Sequence, residues 1–529
     1  GLEVDGVRHS ADGGETWEIV SHDLTRNDTS RMGPSGGPIT KDNTSVEYYG
    51  TIFAAAESPY EKGVILAGSD DGWIHITRDG GKSWLNITPK DLPEWTMVNC
   101  VEFDPFVKGG AYVAGTRYKL GDYKPYLFKT KDYGKTWTRI TDGIDQEHFT
   151  RVVRADPKRP GLLYAGTESG MYISFDDGAS WNPFQLNLPT VPITDLTIKN
   201  DNLVAATQGR SFWIIDDLTP LHQLNESVAA STVHLYKPMP SYRMPGTQRT
   251  LASKTDGKNH PGGVMIHYFV RDTSNAKASL EILEADGTLI RKFSTKPDKK
   301  QKEGELQIKP GFNRFVWDMR YADADGFDGL ILWAARLTGP KAMPGGYKAR
   351  LTMYETVREV DFEIIKDPRT SGTIADIKEQ FDFLIAVRDN VSQTHRNIKK
   401  IRTVPDQLNR VIDPLKERDD MKDVTEMAKT INQKMKKIEE ALYQTKNKSN
   451  QDPLNYPIRL NNKLAALASE ADGSDYKPTA QVKAVYKEVT AQIDDELRAL
   501  NRIFEEEVPK FNDLVRQKNI NAVSLTDTF

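Results

Sequence analysis

Short apolar runs separated by polar turns fill the first 222 residues of the chain. Runs such as Val64–Ser69, Ala111–Thr116 and Leu162–Thr167 each lead into a second apolar run. That second run ends in the motif [Ser/Thr]-x-Asp-x-Gly-x-[Ser/Thr]-Trp. The motif occurs at Ser10–Trp17, Thr77–Trp84, Thr130–Trp137 and Ser174–Trp181. A motif that recurs at intervals of roughly 40–70 residues indicates a repeat architecture.

Each copy of the motif has the composition of a tight hairpin turn. Its Asp carboxylate can accept hydrogen bonds from backbone N–H groups of the turn, and its Gly permits a positive φ. Its Trp begins the next strand and offers a large apolar surface to the layer beneath. Because an active site does not need equivalent copies, we predict a structural role for the Asp and Trp of each motif. These residues are Asp12, Trp17, Asp79, Trp84, Asp132, Trp137, Asp176 and Trp181.

A further strand precedes each pair of apolar runs, so that a repeat contains four short strands. Four antiparallel strands per repeat are typical of one blade of a β-propeller. The segment Leu203–Ile215 starts a fifth repeat, in which the motif has changed to Asp216–Pro220. We therefore expect residues 1–222 to hold about four full blades and one partial blade. Since the chain enters at a third strand, we also expect it to be the C-terminal portion of a longer protein, with the N-terminal part of the ring missing.

The pattern changes after residue 222. Residues 223–245 are polar and marked by proline, and we predict a connector there. Residues 246–369 contain short strands, among them Val264–Val270, and a hairpin signal at Asp286-Gly287. Such spacing predicts a β-sandwich, which resembles the immunoglobulin-like modules of many secreted bacterial proteins. We interpret residues 323–340 as a long excursion between two of its strands.

Residues 370–529 have a helical period, with apolar side chains three and four positions apart. We predict a helix that Thr373 caps, with Asp376 near its N-terminus, and that ends near Arg402. Further helices are expected over 424–442, 460–467 and 482–504, which together form an antiparallel bundle. Arg388 and His395 lie on the apolar seam of the first helix. We interpret them as a partly exposed bundle edge rather than a pH-sensitive pair.

The repeated motifs resemble the Asp-box (BNR) repeats of sialidases, of glycoside hydrolase family 74 and of sortilin-like propellers. Tyr126–Trp137 and Gly209–Asp217 are most similar to large bacterial proteins of the "glycosyl hydrolase, BNR repeat" type. The resemblance implies a mainly β fold with a partial propeller, and it implies a setting outside the cytoplasm. It does not specify a reaction, because one fold can carry many functions.

Composition excludes several classes of function. The 529 residues have a net charge of −4, which gives no indication of a nucleic-acid or anionic-membrane partner. The single cysteine, Cys100, excludes an intrachain disulfide and a cysteine-based metal site. No apolar run is long enough to span a membrane. We predict no metal and no cofactor.

Candidate binding residues lie on the propeller face opposite the motif turns, where long loops collect. The candidate ligand-binding residues on this face are Asp70, Asp71, Arg117, Tyr118, Glu168 and Arg210. Two arginines of this set, Arg117 and Arg210, can clamp a carboxylate, and surface salt bridges are the alternative interpretation of both. Asp42, Glu47 and Tyr48, expected at the start of an innermost strand, are candidates for glycoside hydrolysis, which needs paired carboxylates. A solvated channel mouth is the alternative interpretation of these three residues.

We interpret the chain as an extracytoplasmic protein that is secreted, periplasmic or at the cell surface. Rigid modules in series without a clear catalytic constellation favour binding of a protein or peptide, within a cell-surface or outer-membrane complex. The alternative hypothesis is a glycoside hydrolase that acts on a polysaccharide, so carbohydrate remains a second candidate ligand. Whether the chain is an enzyme stays open at this point.

Overall fold

The repeats in the first part of the chain fold into small antiparallel sheets. The computed structural model describes residues 6–39, 41–42, 49–244, 257, 259–273 and 277–520. The chain divides into two compact units, Gly1–Leu224 and Asn225–Phe529. The expected fold class, a partial propeller followed by a sandwich and C-terminal helices, is confirmed. In the described part of the first unit, however, three sheets have all four strands where about four full blades were expected.

The strands of the first unit follow the sequence repeat. An incomplete first sheet contains β1 (Arg8–His9) and β2 (Glu18–Ile19), and a separate hairpin contains β3 (Ser35–Gly36) and β4 (Lys41–Asp42). The first complete sheet contains β5 (Ile52–Glu57), β6 (Ile65–Ser69), β7 (Ile74–Thr77) and β8 (Leu85–Asn86). The second contains β9 (Met97–Phe103), β10 (Ala111–Arg117), β11 (Asp122–Thr130) and β12 (Thr138–Arg139). The third contains β13 (Thr150–Ala155), β14 (Leu163–Thr167), β15 (Gly170–Ser174) and β16 (Asn182–Pro183). The last sheet contains β17 (Ile193–Lys199), β18 (Asn202–Thr207) and β19 (Phe212–Ile215).

The repeated motif forms the turn between the third and fourth strands of each complete sheet. The Asp79 carboxylate accepts from the backbone N–H of Ser83 at 2.9 Å and from the Ser83 hydroxyl at 2.6 Å. The backbone N–H of Gly81 donates to Thr77 Oγ1 at 2.9 Å. Equivalent bonds surround Asp12, Asp132 and Asp176. The carboxylate thus holds the turn closed with bonds that lie within one motif.

The motif tryptophan joins each complete blade to the sheet before it, in a contact that we call the tryptophan staple. In each staple the indole Nε1–H donates to a backbone carbonyl of the preceding sheet. The pairs are Trp84 with Val20 at 2.8 Å, Trp137 with Ile87 at 2.7 Å and Trp181 with Ile140 at 2.9 Å. Trp181 is only 3% exposed, whereas Trp17 is 47% exposed and donates to Gly14 within its own turn.

The second unit begins with a β-sandwich. Its smaller sheet contains β20 (Val233–Leu235), β22 (Val264–Val270) and β26 (Gly311–Trp317). Its larger sheet contains β21 (Ser241–Tyr242), β23 (Ala278–Glu284), β24 (Leu289–Ser294), β25 (Gly304–Glu305), β27 (Gly345–Met353) and β28 (Thr356–Ile365). Buried side chains of both sheets, such as Ile266, Trp317 and Leu351, form one core.

Part of the predicted connector, residues 223–245, belongs to this sandwich. The short helices α1 (Thr219–Gln223) and α2 (Glu226–Ala230) come first. Then Val233–Leu235 pairs antiparallel with Val264–Val270, and both of its end residues are buried. The prediction missed this strand because three residues are too few to show alternation.

The bundle has longer helices than predicted. The helices are α3 (Ile374–Ile412), α4 (Lys422–Leu442), α5 (Leu460–Ala471), α6 (Ala480–Arg502) and α7 (Val508–Gln517), and a π-helical turn joins the last two. Thr373 caps α3 as predicted, since Thr373 Oγ1 accepts from the Asp376 N–H at 3.1 Å. The predicted end near Arg402 was wrong. The helix continues through Pro405 because residues beyond it, Leu408 and Ile412, are buried in the bundle core.

The excursion over residues 323–340 packs onto the bundle within the second unit. Its Phe327 belongs to the bundle core. His395 is fully buried, which corrects the predicted partly exposed edge. Its Nδ1 lies 2.5 Å from the backbone oxygen of Asp325 in the excursion, and its Nε2 lies 3.1 Å from Asn461 Nδ2. Arg388 is partly exposed and pairs with the neighbouring Asp389.

Candidate functional site

The loops of the first unit collect at the end of the sheets opposite the motif turns. Because successive strands are antiparallel, the loops between second and third strands lie at that end, and so do the connections between sheets. We call this end the loop face. The first strands of successive sheets pack beside one another, so the loops of neighbouring blades come together there.

Arginine and aromatic side chains interleave on the loop face between the first and second complete sheets. The Arg26 guanidinium carbon lies 5.5 Å from the Trp73 ring centroid and 5.3 Å from the Trp95 ring centroid. Arg31 approaches the Trp95 ring at 5.6 Å, and Tyr49 meets it edge-on at 5.1 Å. At these distances the cations are attracted by the ring faces.

A second cluster continues the pattern onto the third complete sheet. Tyr118 stacks on Phe149 with ring centroids 5.3 Å apart, and Tyr123 lies 6.1 Å from the same ring. The Arg151 guanidinium carbon is 5.6 Å from the Tyr118 ring and 5.2 Å from the Phe149 ring. Arg151 also forms an ion pair with Glu168 at 2.7 Å.

Two contacts connect these clusters. Lys119 Nζ lies 5.8 Å from the Tyr49 ring centroid, and Arg117 Nε donates to the Glu94 carbonyl at 3.1 Å. Tyr123 is 53% exposed and gives the patch an open aromatic edge. We call the combined patch the aromatic–arginine surface. Its members are Arg26, Arg31, Tyr49, Trp73, Trp95, Tyr118, Lys119, Tyr123, Phe149 and Arg151.

Backbone geometry holds Trp95 in this surface. Trp95 has φ +63, a left-handed conformation that a bulky residue seldom adopts. Gly72 lies against it, and a Cβ on Gly72 would come within 3.2 Å of the Trp95 nitrogen. Strained backbone of this kind is often found at functional sites. The tight packing of the two loops keeps the indole in place.

Of the six predicted ligand-binding residues, Tyr118 alone belongs to the aromatic–arginine surface. Asp70 and Asp71 are buried. Asp70 accepts from the backbone N–H groups of Gly50 and Thr51, each at 2.9 Å, and burial raises its pKa. Asp71 accepts from the Arg26 N–H at 2.7 Å. These two carboxylates support the loops from beneath, and neither is presented to a ligand.

The other predicted residues have separate partners. Arg117 pairs with Asp122 at 2.7 Å. Burial acts to raise the pKa of Asp122, but hydrogen bonds from Tyr126 and Arg117 outweigh it and lower that pKa. Glu168 is held by Arg151, and Arg210 is exposed in the last sheet and donates to its neighbour Gly209. The predicted pair of carboxylate-clamping arginines is therefore not assembled.

The predicted catalytic residues are not at the start of an innermost strand. That strand, β5, begins at Ile52, and Asp42 ends a separate hairpin in which it pairs with Ser35. Glu47 and Tyr48 lie outside the described residues. The structure thus brings no predicted catalytic pair together among the residues that it describes.

A charged cluster that the sequence did not reveal lies along the first strands of the sheets. A cavity of about 380 Å³ lies between the first strands of the last four sheets. In its wall Arg154 contacts Glu102 at 3.2 Å, Asp195 at 2.9 Å and the Cys100 sulfur at 2.8 Å. Burial raises the pKa of Glu102. These residues come from three different sheets, so no local motif could have predicted the cluster.

Metal-binding clusters and membrane-spanning helices are absent from the described ranges. There, no group of three or more His, Cys, Asp or Glu side chains is arranged to hold a metal ion. No helix in those ranges is both long enough and apolar enough to cross a membrane.

Comparison with known proteins gives limited matches, and no family model matches the chain. The oligoxyloglucan-reducing end-specific xyloglucanase of Emericella nidulans is 30% identical over 111 residues. The match covers 20% of this chain and 13% of that enzyme, so this chain spans a small part of its relative's length.

Several solved structures are similar to parts of the chain. YCF48 from Cyanidioschyzon merolae has 20% identity over 31% of this chain and 53% of its own, with a TM-score of 0.25. An ancestral GH74 enzyme has 15% identity over 55% of this chain and 35% of its own, with a TM-score of 0.29. These similarities do not decide between a binding protein and a glycoside hydrolase.

Proposed function

We propose that this chain is an extracytoplasmic binding protein that holds a protein or peptide partner on the aromatic–arginine surface, as a subunit of a cell-surface or outer-membrane complex. The observation that carries the proposal is the concentration of tryptophan, tyrosine and arginine on one face of a rigid scaffold. These residue types dominate binding energy at protein interfaces. Tyrosine and tryptophan supply a large contact area at low cost in conformational entropy.

The charges of the surface favour a partner with acidic groups. Arg26 and Arg151 are compensated by Glu94 and Glu168. Arg31 and Lys119 contact aromatic rings, and no described carboxylate forms an ion pair with either. Two cations without an ion-pair partner among the described carboxylates, beside half-buried rings, attract an acidic side chain and increase the rate of association.

A peptide selection tests this proposal. A displayed library of random peptides is selected on the purified chain, and the affinities of the recovered peptides are measured by calorimetry. We expect Trp95→Ala to weaken binding about 30-fold, since an interface hot spot contributes about 2 kcal/mol. Trp17→Ala, which truncates a half-exposed tryptophan in a motif turn, is the matched control and should leave the affinity unchanged. Failure to enrich any peptide, or equal binding to the Trp95 variant, would contradict the proposal.

A second variant tests how the charge of the surface contributes to binding, separately from side-chain packing. We expect Lys119→Ala to slow association and to reduce its dependence on salt concentration, because a charge at the rim of an interface acts mainly through steering. Stopped-flow measurements over a range of salt concentrations check this expectation. An unchanged salt dependence would show that Lys119 does not face the partner.

Glycoside hydrolysis is the second candidate function. The similarity to the xyloglucanase favours it, and so does Glu102 in the cavity wall, whose pKa burial raises in the direction that a general acid requires. Arg154 forms ion pairs with both Glu102 and the nearby Asp195, however, so neither carboxylate is free to act. Incubation with xyloglucan oligosaccharides and assay of new reducing ends tests this function, with Glu102→Gln as the inactive control. If the wild-type chain releases no product, it is not a hydrolase of this substrate.

A further inference from the structure

The last sheet of the first unit has a free edge. In the complete sheets, β8, β12 and β16 pair with β7, β11 and β15. No described strand pairs with the outer edge of β19, because the chain turns into α1 instead. Phe212 and Ile214 on this strand are 74% and 57% exposed. An exposed apolar edge strand is a template for another strand.

The backbone of β19 is oriented for such pairing. Ser211 accepts from the Thr207 N–H on the side that faces β18. Because the backbone groups of successive residues point to alternate sides, the N–H and C=O of Phe212 and Ile214 point away from β18. These are the groups that an added strand would bind.

In each tryptophan staple, we call the backbone segment that begins with the accepting carbonyl the receiving segment. The sheet before the free edge has such a segment, but no indole of the described residues donates to it. In the Trp181 staple, the receiving segment is residues 140–144, where Ile144 N–H donates to Thr141 at 3.2 Å. Residues 184–188 follow β16 in the same way, and there Leu188 N–H donates to Gln185 at 2.8 Å. The carbonyl of Phe184 therefore occupies the position of the Ile140 carbonyl that accepts from Trp181.

The receiving segment opens onto a small apolar groove. The walls of the groove come from residues 184–188 on one side and from β18 and β19 on the other. Leu186 on its rim is 70% exposed, whereas the stapled Trp181 is 3% exposed. In the last repeat the motif has changed, and the tryptophan of this repeat, Trp213, lies in the wall of the groove and donates to the Arg210 carbonyl instead.

We propose that this edge binds an extended segment of a partner protein, which adds to β19 as a fourth strand and places a tryptophan in the groove. The groove continues an interface that the chain fills three times with its own tryptophans, and the indole N–H would donate to the Phe184 carbonyl. Strand addition of this kind takes its affinity from main-chain bonds and its specificity from a side-chain pocket. An antiparallel segment would leave the edge near the exposed Arg210, which favours an acidic residue after the strand. This site shares no residue with the aromatic–arginine surface and does not depend on it.

The test uses a probe that the chain itself supplies. A fluorescein-labelled peptide that copies residues 132–142 contains a motif tryptophan, an outer strand and a final aspartate. Its binding to the full chain is followed by fluorescence anisotropy. We expect saturable binding, and we expect the peptide with Trp137→Ala to bind at least tenfold more weakly.

Two variants of the chain and one control variant identify the site at which the peptide probe binds. Ile214→Pro removes a main-chain donor from the free edge and should abolish binding. Leu186→Glu, at an exposed position on the groove rim, should weaken binding about tenfold without loss of thermal stability. Leu289→Glu, at a half-exposed position of the sandwich, should bind the probe as the wild type does.

Three results would overturn the proposal. They are the absence of saturable binding, equal affinity for the peptide without tryptophan, and unchanged binding to both the Ile214 and the Leu186 variants. A wild-type dimer in sedimentation analysis that Ile214→Pro dissociates would identify a second copy as the occupant and would also overturn it.

Discussion

At the scale of single residues, the motif tryptophans show how one side chain takes on different roles in different surroundings. Trp181 and Trp17 occupy the same motif position. Trp181 is buried and bonded across two sheets, while Trp17 is half-exposed and bonded within its own turn. The energetic contribution of the tryptophan is therefore set by the preceding sheet and not by the motif.

This difference predicts unequal costs of truncation. Trp181→Ala should lower the free energy of unfolding of the first unit by about 3–5 kcal/mol, because it leaves a large cavity. Trp17→Ala should cost less than about 1 kcal/mol. Denaturant titrations followed by tryptophan fluorescence measure both changes. Equal losses in the two variants would contradict the assignment of the staple as an inter-sheet contact.

The lowered pKa of a motif aspartate predicts that the stability of the first unit depends on pH. Hydrogen bonds, first of all from the Ser83 side chain, lower the pKa of Asp79 to about 2. Since its pKa in the unfolded chain is higher, the stability that the charged carboxylate contributes is present above about pH 4 and is lost as the pH falls toward 2. The difference in Tm between the wild type and Asp79→Asn should therefore disappear over this interval. A difference that stays constant down to pH 2 would show that the charge of Asp79 does not stabilise the turn.

Residues with local partners could be predicted from the sequence, and residues with distant partners could not. The motif turn is closed by groups that lie within four residues of its aspartate. Trp73 and Trp95 come together through Arg26, which is far from both in the chain, so no spacing indicated the aromatic–arginine surface. The signal that was available was the presence of tryptophans in loops predicted to share one face.

At the scale of elements, the helix α3 shows which features of an element can be predicted from its own sequence and which cannot. Its start at Thr373 could be predicted because the cap is local. Its end could not, because proline disfavours a helix interior and the burial that outweighs Pro405 comes from other helices. The strand Val233–Leu235 was missed because three residues are too few to show alternation, and its pairing partner is a separate segment of the chain.

The cap gives a prediction at this scale. Thr373→Ala should reduce the free energy of unfolding of the second unit by about 1 kcal/mol, because the cap hydroxyl accepts from an otherwise unbonded N–H. Thr403→Ala is the matched control in the same helix, where the exposed hydroxyl only donates to the Lys399 carbonyl. Denaturation followed by helical circular dichroism measures both variants. A larger loss for the control would refute the role of the cap.

At the scale of the whole molecule, His395 links the excursion to the bundle within the second unit. Burial lowers its pKa, and its neutral ring is bonded at both nitrogens. A neutral buried histidine contributes stability that is present above its ordinary pKa of 6.5 and is lost as the pH falls through the lowered value in the folded state.

This link predicts how the second unit responds to pH. Its Tm should change little from pH 8 to pH 6.5 and should decline at lower pH, because protonation forces a charge into the core. In His395→Asn, which keeps a donor and an acceptor, that decline should be reduced. Thermal melts followed by helical circular dichroism check the expectation. An unchanged decline in the variant would assign it to other groups.

The measurement that tests the central claim most directly is cross-linking of the chain in its native cells, read by mass spectrometry. Lys119 belongs to the aromatic–arginine surface and Lys124 follows its member Tyr123 in the chain, and both lysines are exposed. If this surface holds a partner, both lysines should be cross-linked to the same second protein, and Trp95→Ala should abolish those cross-links while the chain stays folded. A chain that shows no cross-linked partner, or one whose cross-links lie only on the helical bundle, would contradict the account.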